Sequence, residues 1–358
     1  MKSNLNKYKQ NICKNNIKIR VALSVLNLVK IKCLIVIDKK RNFIGTLTDG
    51  DIRRSLLSGI KFTETVNKCV NKKSFILKYD DFKTLKNSKD LNIPEDVLLI
   101  PVLNQKKKIV DIVKNPKSEK FNTSNKNFNT QVFIMAGGMG TRLRPYSSII
   151  PKPLIPIDGK PLIEHIMDKF LKYNFKKFTI SVNNDQKIIK TFFKSNKKKY
   201  EIIFLSEKKA LGTAGSLSLI NKIPKDLIVI NCDSIIDSDY DSILKYHRSN
   251  KNDLTVVVAK KRIDIPYGVF ELNKNSKIAM IEKPSNEILI NTGMYIFSGK
   301  ILSVLKKNKR LEMDQLIKDL ISKKNKIDLF PIDSNSWHDF GQLNSFFQNK
   351  KNFLKFNK

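Results

Sequence analysis

The spacing of apolar residues changes period several times along the chain. "QVFIMA" at 131–136 is a continuous apolar run, the pattern of a strand buried on both faces. Residues 161–173 change to helical spacing. Leu162, Ile166, Phe170 and Ile163, Met167, Leu171 form two adjacent rows of one apolar face. Pro161 opens this helix, where a missing N–H costs little. "KFTISVN", "YEIIFL" and "DLIVIN" predict further strands, "DQKIIKTFFK" a second helix, and a short helix begins at Ala214. Strands alternating with helices predict an α/β fold, Rossmann-like, with an open, mostly parallel mixed sheet and helices on both faces. Such sheets bind ligands outside the carboxyl ends of their strands. Beyond residue 250, "LTVVVAK", "YGVFEL" and "ILINTGMYIF" read as strands. "NKNSK" turns the chain into "IAMIEKP", and helices are expected near 299–307 and 313–323.

Around 115–130 the pattern lapses into "NPKSEKFNTSNKNFNT", polar and interrupted by Pro116. This predicts a smaller α+β domain at 1–116, a linker at 117–129 and a larger domain at 130–358. At 358 residues and 41% apolar composition, the chain can build two cores. No apolar run is long enough to span a bilayer, and the N-terminus lacks a secretion signal. Cys13, Cys33, Cys69 and Cys232 are scattered without a C-x-x-C pair, which suggests a reduced, cytoplasmic protein without structural zinc.

A formal charge of +35 would suit a nucleic-acid binder. The excess is nearly all Lys, spread over both halves, whereas Arg, the residue that reads and stacks on bases, is scarce. A solvated Lys-rich surface is therefore expected, with no nucleic-acid or membrane partner. The same field attracts anionic substrates.

The densest chemistry follows the first strand of the larger domain. Gly137, Gly138 and Gly140 free the backbone for φ > 0 and close approach to a ligand, and successive N–H groups can form an anion nest. Arg142 can fork onto phosphate oxygens, and Lys152 adds a charge held between Pro151 and Pro153. Neither a dinucleotide fingerprint nor a P-loop fits. The glycines alone fit either a phosphate cradle or a tight strand-to-helix turn.

The whole stretch "AGGMGTRLRPYSSIIPKPLIPIDGKPLIEH" closely resembles the signature of the sugar-1-phosphate nucleotidylyltransferases. The resemblance implies that the loop from Gly137 through Arg142, Thr141 included, wraps a nucleoside triphosphate and that Arg142 and Lys152 are catalytic cations. The implied reaction is attack of a sugar 1-phosphate on the α-phosphorus, with pyrophosphate leaving; its main tasks are charge neutralisation and in-line positioning. Mg²⁺ is the implied cofactor. Asp233, directly after "DLIVINC", and Asp339, in "WHDFGQL", match the family's metal carboxylates. Either one alone would read as a turn or cap residue, as Asp237, Asp239 and Asp241 do. His338 is left as structural, since Mg²⁺ prefers oxygen.

In "EKPS", Lys283 matches the lysine that meets the sugar phosphate and Glu282 a sugar contact. Asn291, Gly293 and Gly268 resemble positions lining the sugar pocket. "EKKALGTAGSL" is similar to the nucleoside-facing element. There Gly212 lets the backbone approach base or ribose, the helix offers its N-terminal amides, and Glu207 accepts from guanine. This pattern resembles the guanylyl branch, so GTP is the expected donor, with thymidylyl or uridylyl transfer as alternatives. The resemblance covers roughly 130–345. A nucleotide-binding regulatory protein without catalysis is the competing class, but all five charged positions are present.

In the smaller domain, "CLIVIDKKRNFIGTLTDGDIRRSLLSG" resembles a cystathionine-β-synthase (CBS) module, and "LLIPVLNQKKKIVDIVK" a second one lacking the T-x-x-D element. Thr48 and Asp51 match positions holding ribose and phosphate of an adenine nucleotide, and Arg53 and Arg54 could meet phosphate. A purely structural or dimer-forming pair is the equal alternative, and a homo-oligomer is expected. A CBS pair ahead of this catalytic domain looks like the guanylyltransferases that feed legionaminic, nonulosonic and surface-glycan pathways.

Overall fold

The computed structural model describes residues 4–29, 31–84, 93–94, 97–115, 129–138, 140–183, 187–194, 200–272, 278–343 and 346. The chain divides into two units, Met1–Lys126 and Asn127–Lys358. The expected linker at 117–129 lies outside the described residues except for Asn129.

The first unit builds one plan twice. β1 (Ile12–Lys14), α1 (Ile19–Leu28), β2 (Cys33–Ile37) and β3 (Phe43–Thr48) form the first copy, closed by α2 (Asp49–Leu57). β4 (Leu77–Lys78), α3 (Tyr79–Thr84), β5 (Leu99–Leu103) and β6 (Ile109–Lys114) form the second. In each, the first strand pairs parallel to the second and the second antiparallel to the third. Each hairpin also shifts register once, at Val36/Ile37 and at Val102/Leu103. Ile35 from one sheet shares an apolar cluster with Leu99 and Ile112 from the other.

Thr48 and Asp51 form a capping box at the start of α2. The Thr48 amide and hydroxyl both donate to Asp51 Oδ2, at 2.8 and 2.6 Å. Asp51 Oδ1 takes Arg54 at 2.6 Å, while Arg53 is buried and turned onto Asp49. Arg53 is therefore committed to its own helix rather than free for a phosphate.

The second unit holds β7 (Gln131–Met135), β8 (Pro156–Ile157), β9 (Lys160–Pro161), α4 (Leu162–Leu171), β10 (Lys177–Asn183), α5 (Lys187–Lys194) and β11 (Glu201–Glu207). It continues through α6 (Gly212–Gly215), β12 (Asp226–Asn231), β13 (Ser234–Ile236), α7 (Tyr240–Ser249), β14 (Leu254–Asp264), β15 (Val269–Leu272) and β16 (Ile278–Ile281). β17 (Ser285–Ser298), α8 (Gly299–Ser303), α9 (Met313–Ser322), β18 (Ile327–Asp333) and β19 (Trp337–Asp339) complete it.

The main sheet has seven strands in the order β11-β10-β7-β12-β17-β14-β18. Only β17 runs antiparallel to its neighbours. Alternate residues of β7 serve opposite faces. Val132 and Ile134 pack with α4 through Leu162, Ile166 and Phe170, while Phe133 and Met135 pack with α9 through Met313, Leu316 and Leu320. The mostly parallel mixed sheet with helices on both faces is thus present. β18 was not evident from the sequence because Pro331 interrupts it; as an edge strand it tolerates the lost N–H. No helix among the described residues is long and apolar enough to cross a membrane.

Candidate functional site

The chain runs β7, β10, β11 to one side of the sheet and then returns to place β12 on the other side of β7. The glycine loop leaves β7 at this switch, where open α/β sheets bind ligands. A cavity of about 580 Å³ opens there. It is lined by the carboxyl ends of four strands, through Met135, Ser181, Asn183, Glu207 and Asn231.

Gly137, Gly138, Gly140, Arg142 and Lys152 line the same cavity; Thr141 is exposed and does not. Two glycines have specific causes. A Cβ on Gly137 would lie 2.4 Å from Glu207 Oε1. Gly140 has φ 65° and sits against the stems of Lys152 and Ser147, and Ser147 Oγ donates to its carbonyl at 2.7 Å. The loop is folded onto its own cation. Lys152 starts a 3₁₀ turn anchored by buried Leu154, and its ammonium pairs with Asp233.

Asp233 directly follows β12 and Cys232, and Asp339 ends β19. The short antiparallel pairing of β13 with β19 brings them together, with Ser234 opposite Asp339. Phe340 N donates to the Asp233 carbonyl at 2.8 Å. Gly341 stands between the carboxylates, where a Cβ would lie 2.8 Å from Asp233 Oδ2 and 2.9 Å from Asp339 Oδ1. Its amide donates to Asp339 Oδ1 at 2.8 Å. Burial works against the Lys152 ammonium, but Asp233, Cys232 and Asp339 outweigh it and raise its pKa. Burial also raises Asp339 above the ordinary 3.8, helped by the Asp233 charge and only partly offset by the Gly341 amide, Lys152 and Arg142. As sequence reading expected, Asp239 caps a helix, accepting from Ser242 N at 3.1 Å. His338 is buried with Asp237 3.5 Å away.

The sugar-side residues divide into two groups. Asn291 and Gly293 flank a bulge in β17, where Val257 pairs with Met294 but Val258 with Asn291. Gly293 takes φ 78°, and a Cβ there would lie 2.3 Å from the Asn231 amide, so the bulge abuts the cavity wall. Asn291 accepts from Gly293 N at 3.0 Å and donates to the Tyr295 hydroxyl at 2.8 Å. Gly268, Glu282 and Lys283 instead lie on or beside the β15–β16 hairpin, which pairs only with itself in the sheet topology. Lys283 is exposed, at φ 46°, with its ammonium 3.9 Å from Glu282. None of the five lines the cavity.

The segment 207–217, expected to face the nucleoside, carries a correction in its helix. Its helix starts at Gly212 rather than Ala214, and its amides are not offered to a ligand. Ala214 N and Gly215 N both donate to the Leu311 carbonyl at 3.0 Å, and Thr213 N donates to Glu312 Oε2 at 3.1 Å. Gly212 lines the cavity at φ 78°, and a Cβ there would lie 2.7 Å from the Leu311 carbonyl and 2.8 Å from Glu312 Oε1. Arg310 and Glu312 thereby join the cavity wall, as do Lys208 and Lys209. Sequence reading missed Arg310 and Glu312 because they reach the site only through this strap. Glu207 lines the cavity but is buried, accepts from Leu211 N at 3.1 Å, and has a raised pKa from that burial.

Two opposed carboxylates, two cations and a glycine turn at a sheet's switch point suit polyphosphate chemistry. Residues 131–355 match the family described as Nucleotidyl transferase. The chain belongs to this family. The nucleotidyl transferase match covers the whole described cavity. Over 201 residues the chain is 35% identical to the bifunctional protein GlmU of Methanococcus maripaludis, covering 52% of this chain and 46% of that one. It is 34% identical to the mannose-1-phosphate guanylyltransferase catalytic subunit beta of Danio rerio, covering 48% and 51%. The chain thus spans about half the length of the curated relatives it matches. The crystal structure of HddC from Yersinia pseudotuberculosis aligns with TM-score 0.50 and 26% identity, over 63% of this chain and 99% of that one.

Proposed function

We propose that this nucleotidyl transferase is a sugar-1-phosphate nucleotidylyltransferase, moving a nucleoside monophosphate from GTP to a sugar 1-phosphate and releasing pyrophosphate. The observation that carries the reading is the convergence of Arg142 and Lys152 with Asp233 and Asp339 at the carboxyl edge of the sheet. The relatives named for mannose-1-phosphate guanylyl transfer and as GlmU agree with it.

The sugar phosphate is already ionised, so no covalent nucleophile is needed. The chain's task is to hold two polyanions in line. Arg142 forks onto the β- and γ-phosphates, and Lys152 exchanges Asp233 for an α-phosphate oxygen as charge builds there. Lys283 and Glu282, beside the β15–β16 hairpin, bind the sugar phosphate, with Asn291, Gly293 and Gly268 around the sugar. Mg²⁺ fits the donor set, which is two facing carboxylates and no soft ligand. Asp233 and Asp339 would hold the ion. When bound, the ion neutralises charge on the phosphates.

The test crosses the common nucleoside triphosphates against glucose-, mannose-, glucosamine- and N-acetylglucosamine-1-phosphate, with Mg²⁺, and reads pyrophosphate. GTP-dependent release is expected, and Asp233→Ala should abolish it. Near-normal turnover in that variant would sink the metal assignment. One observation favours a second reading of the base. Glu207 already accepts from Leu211 N and packs on Gly137, which leaves little room for two guanine donors. Preference for dTTP or UTP in the panel would select that reading.

For the first unit, we propose a tandem CBS pair; the duplicated strand plan supports it. An adenine nucleotide would meet Thr48 and Asp51. Unchanged AMP or ATP titration in Asp51→Ala would leave only a structural role. A cytoplasmic homo-oligomer serving glycan or nonulosonic acid synthesis completes the proposal.

A further inference from the structure

The candidate nucleotide cavity shares a wall with a second, smaller cavity of about 180 Å³. The wall consists of α6 and the 309–312 strap. Thr213 and Ser216 face the first cavity, and Ala214, Gly215 and Ser218 the second. In the strap, Arg310 and Glu312 line the first, and Lys309 and Leu311 the second. Alternate residues of the strap, and successive pairs along α6, therefore report to opposite sides of one thin partition. That partition has no slack. A Cβ on Gly215 would lie 2.8 Å from the Lys309 carbonyl and 2.9 Å from Leu211 Cβ. Leu311 N also donates to the Leu211 carbonyl at 2.8 Å.

The floor of the second cavity is apolar, built from Ile301, Leu305, Leu316 and Leu320. Lys306, Lys309 and Lys323 stand around it, and none pairs with a carboxylate among the described residues. The one carboxylate in the lining, Asp319, is held by Gln315, whose Nε2 donates to Oδ1 at 2.7 Å. An apolar floor alone would take any small hydrophobe. Three ammonium groups against the single Asp319 carboxylate leave the lining net positive and select an anion, and the volume restricts the ligand to a short body.

We infer that this cavity is a second binding site, for a small amphipathic monoanion, and that its occupancy is coupled to the nucleotide cavity through the shared wall. The anionic head meets the lysines, and the apolar body rests on Ile301, Leu305, Leu316 and Leu320. Filling the cavity braces Leu311 from behind and keeps Glu312 on Thr213, so the ligand tightens nucleotide binding, and nucleotide tightens the ligand by the same factor. The coupling rests on the nucleotide reading given above; the site itself does not.

Hexanoate is the probe, titrated calorimetrically into the full-length protein without nucleotide, with 1-hexanol and acetate as controls. Saturable hexanoate binding is expected, about 10-fold or more tighter than either control, since each lacks half of the recognition. Val304→Trp, at an exposed rim position, should occlude the mouth without touching the core. Lys306→Glu with Lys309→Glu should reverse the local charge. Both should weaken hexanoate about 10-fold while leaving the melting temperature near that of the parent. Saturating hexanoate should lower the Kd for GTP about 5-fold. Equal binding of hexanol and hexanoate would overturn the anion assignment. Unweakened binding in a folded Val304→Trp protein would overturn the site. An unchanged Kd for GTP would overturn the coupling. Should GTP not bind at all, the function reading fails, while the nucleotide-free titration still decides the site.

Discussion

At the scale of single residues, the acidic pair sets function against stability. Burial and the Asp233 charge raise the Asp339 carboxyl above its ordinary 3.8. The folded protein thus holds this proton more tightly than the unfolded chain. Stability falls as pH rises from the ordinary value through the raised one, and the cost persists at neutral pH. Asp339→Asn keeps an oxygen for the Gly341 amide and removes the charge. The metal-free variant should melt higher than the parent at pH 7, and the difference should shrink toward about pH 4. Turnover should drop on the order of 100-fold or more, as one arm of the electrostatic clamp is lost. A variant less stable than its parent at pH 7 would mean that Lys152 and Arg142 outweigh burial. The same trade explains why Lys152 sits on Asp233: each offsets the other's desolvation.

At the scale of elements, the carboxylates depend on a joint between three strands. Ser234 is fully buried at 2% exposure. Its hydroxyl donates to the Thr292 carbonyl at 2.7 Å and accepts from Trp337 Nε1 at 2.8 Å. One side chain therefore ties β13, which follows Asp233, to β19, which ends at Asp339, and both to the bulge of β17. Ser234→Ala would leave an indole N–H and a carbonyl without their partner, at a cost of about 1–3 kcal/mol. Urea unfolding should show that loss, and Mg²⁺ affinity should fall while binding of the metal-free nucleotide stays within about 2-fold. Equal loss of both affinities would show that Ser234 supports the whole cavity, not the acidic pair. Elements of this kind are the least visible in sequence. β19 spans only Trp337–Asp339 and has no period of its own; it exists because β13 pairs with it. α6 is one turn, set by the strap rather than by propensity.

At the scale of the whole molecule, what sequence revealed follows burial. β7 and β12 were legible as apolar runs because both faces of each are covered, and Asp233 stood out as a charge ending such a run. β18 was hidden by Pro331, and Arg310 and Glu312 by their distance along the chain from the glycine loop they help enclose. The expectation that the α6 amides serve a ligand failed for the same reason, since nothing local to "LGTAG" announces Leu311. Charge is the other property that only the whole chain possesses. A formal +35 lies mostly on exposed lysines, where ions screen it within about 10 Å at 0.1 M salt. The Lys152–Asp233 pair is enclosed instead, with side chains only 14% and 16% exposed. The two populations should respond differently to salt. Raising NaCl from about 0.05 to about 0.5 M should weaken capture of the triphosphate several-fold, seen as a higher KM, because long-range attraction is screened. The chemical step occurs against enclosed charges, so kcat should change by less than about 2-fold. Steady-state kinetics across the salt series separates the two. A fall in kcat at constant KM would reverse the assignment: it would put the salt-sensitive charges at the reacting phosphates and leave the lysine-rich surface without a part in substrate capture.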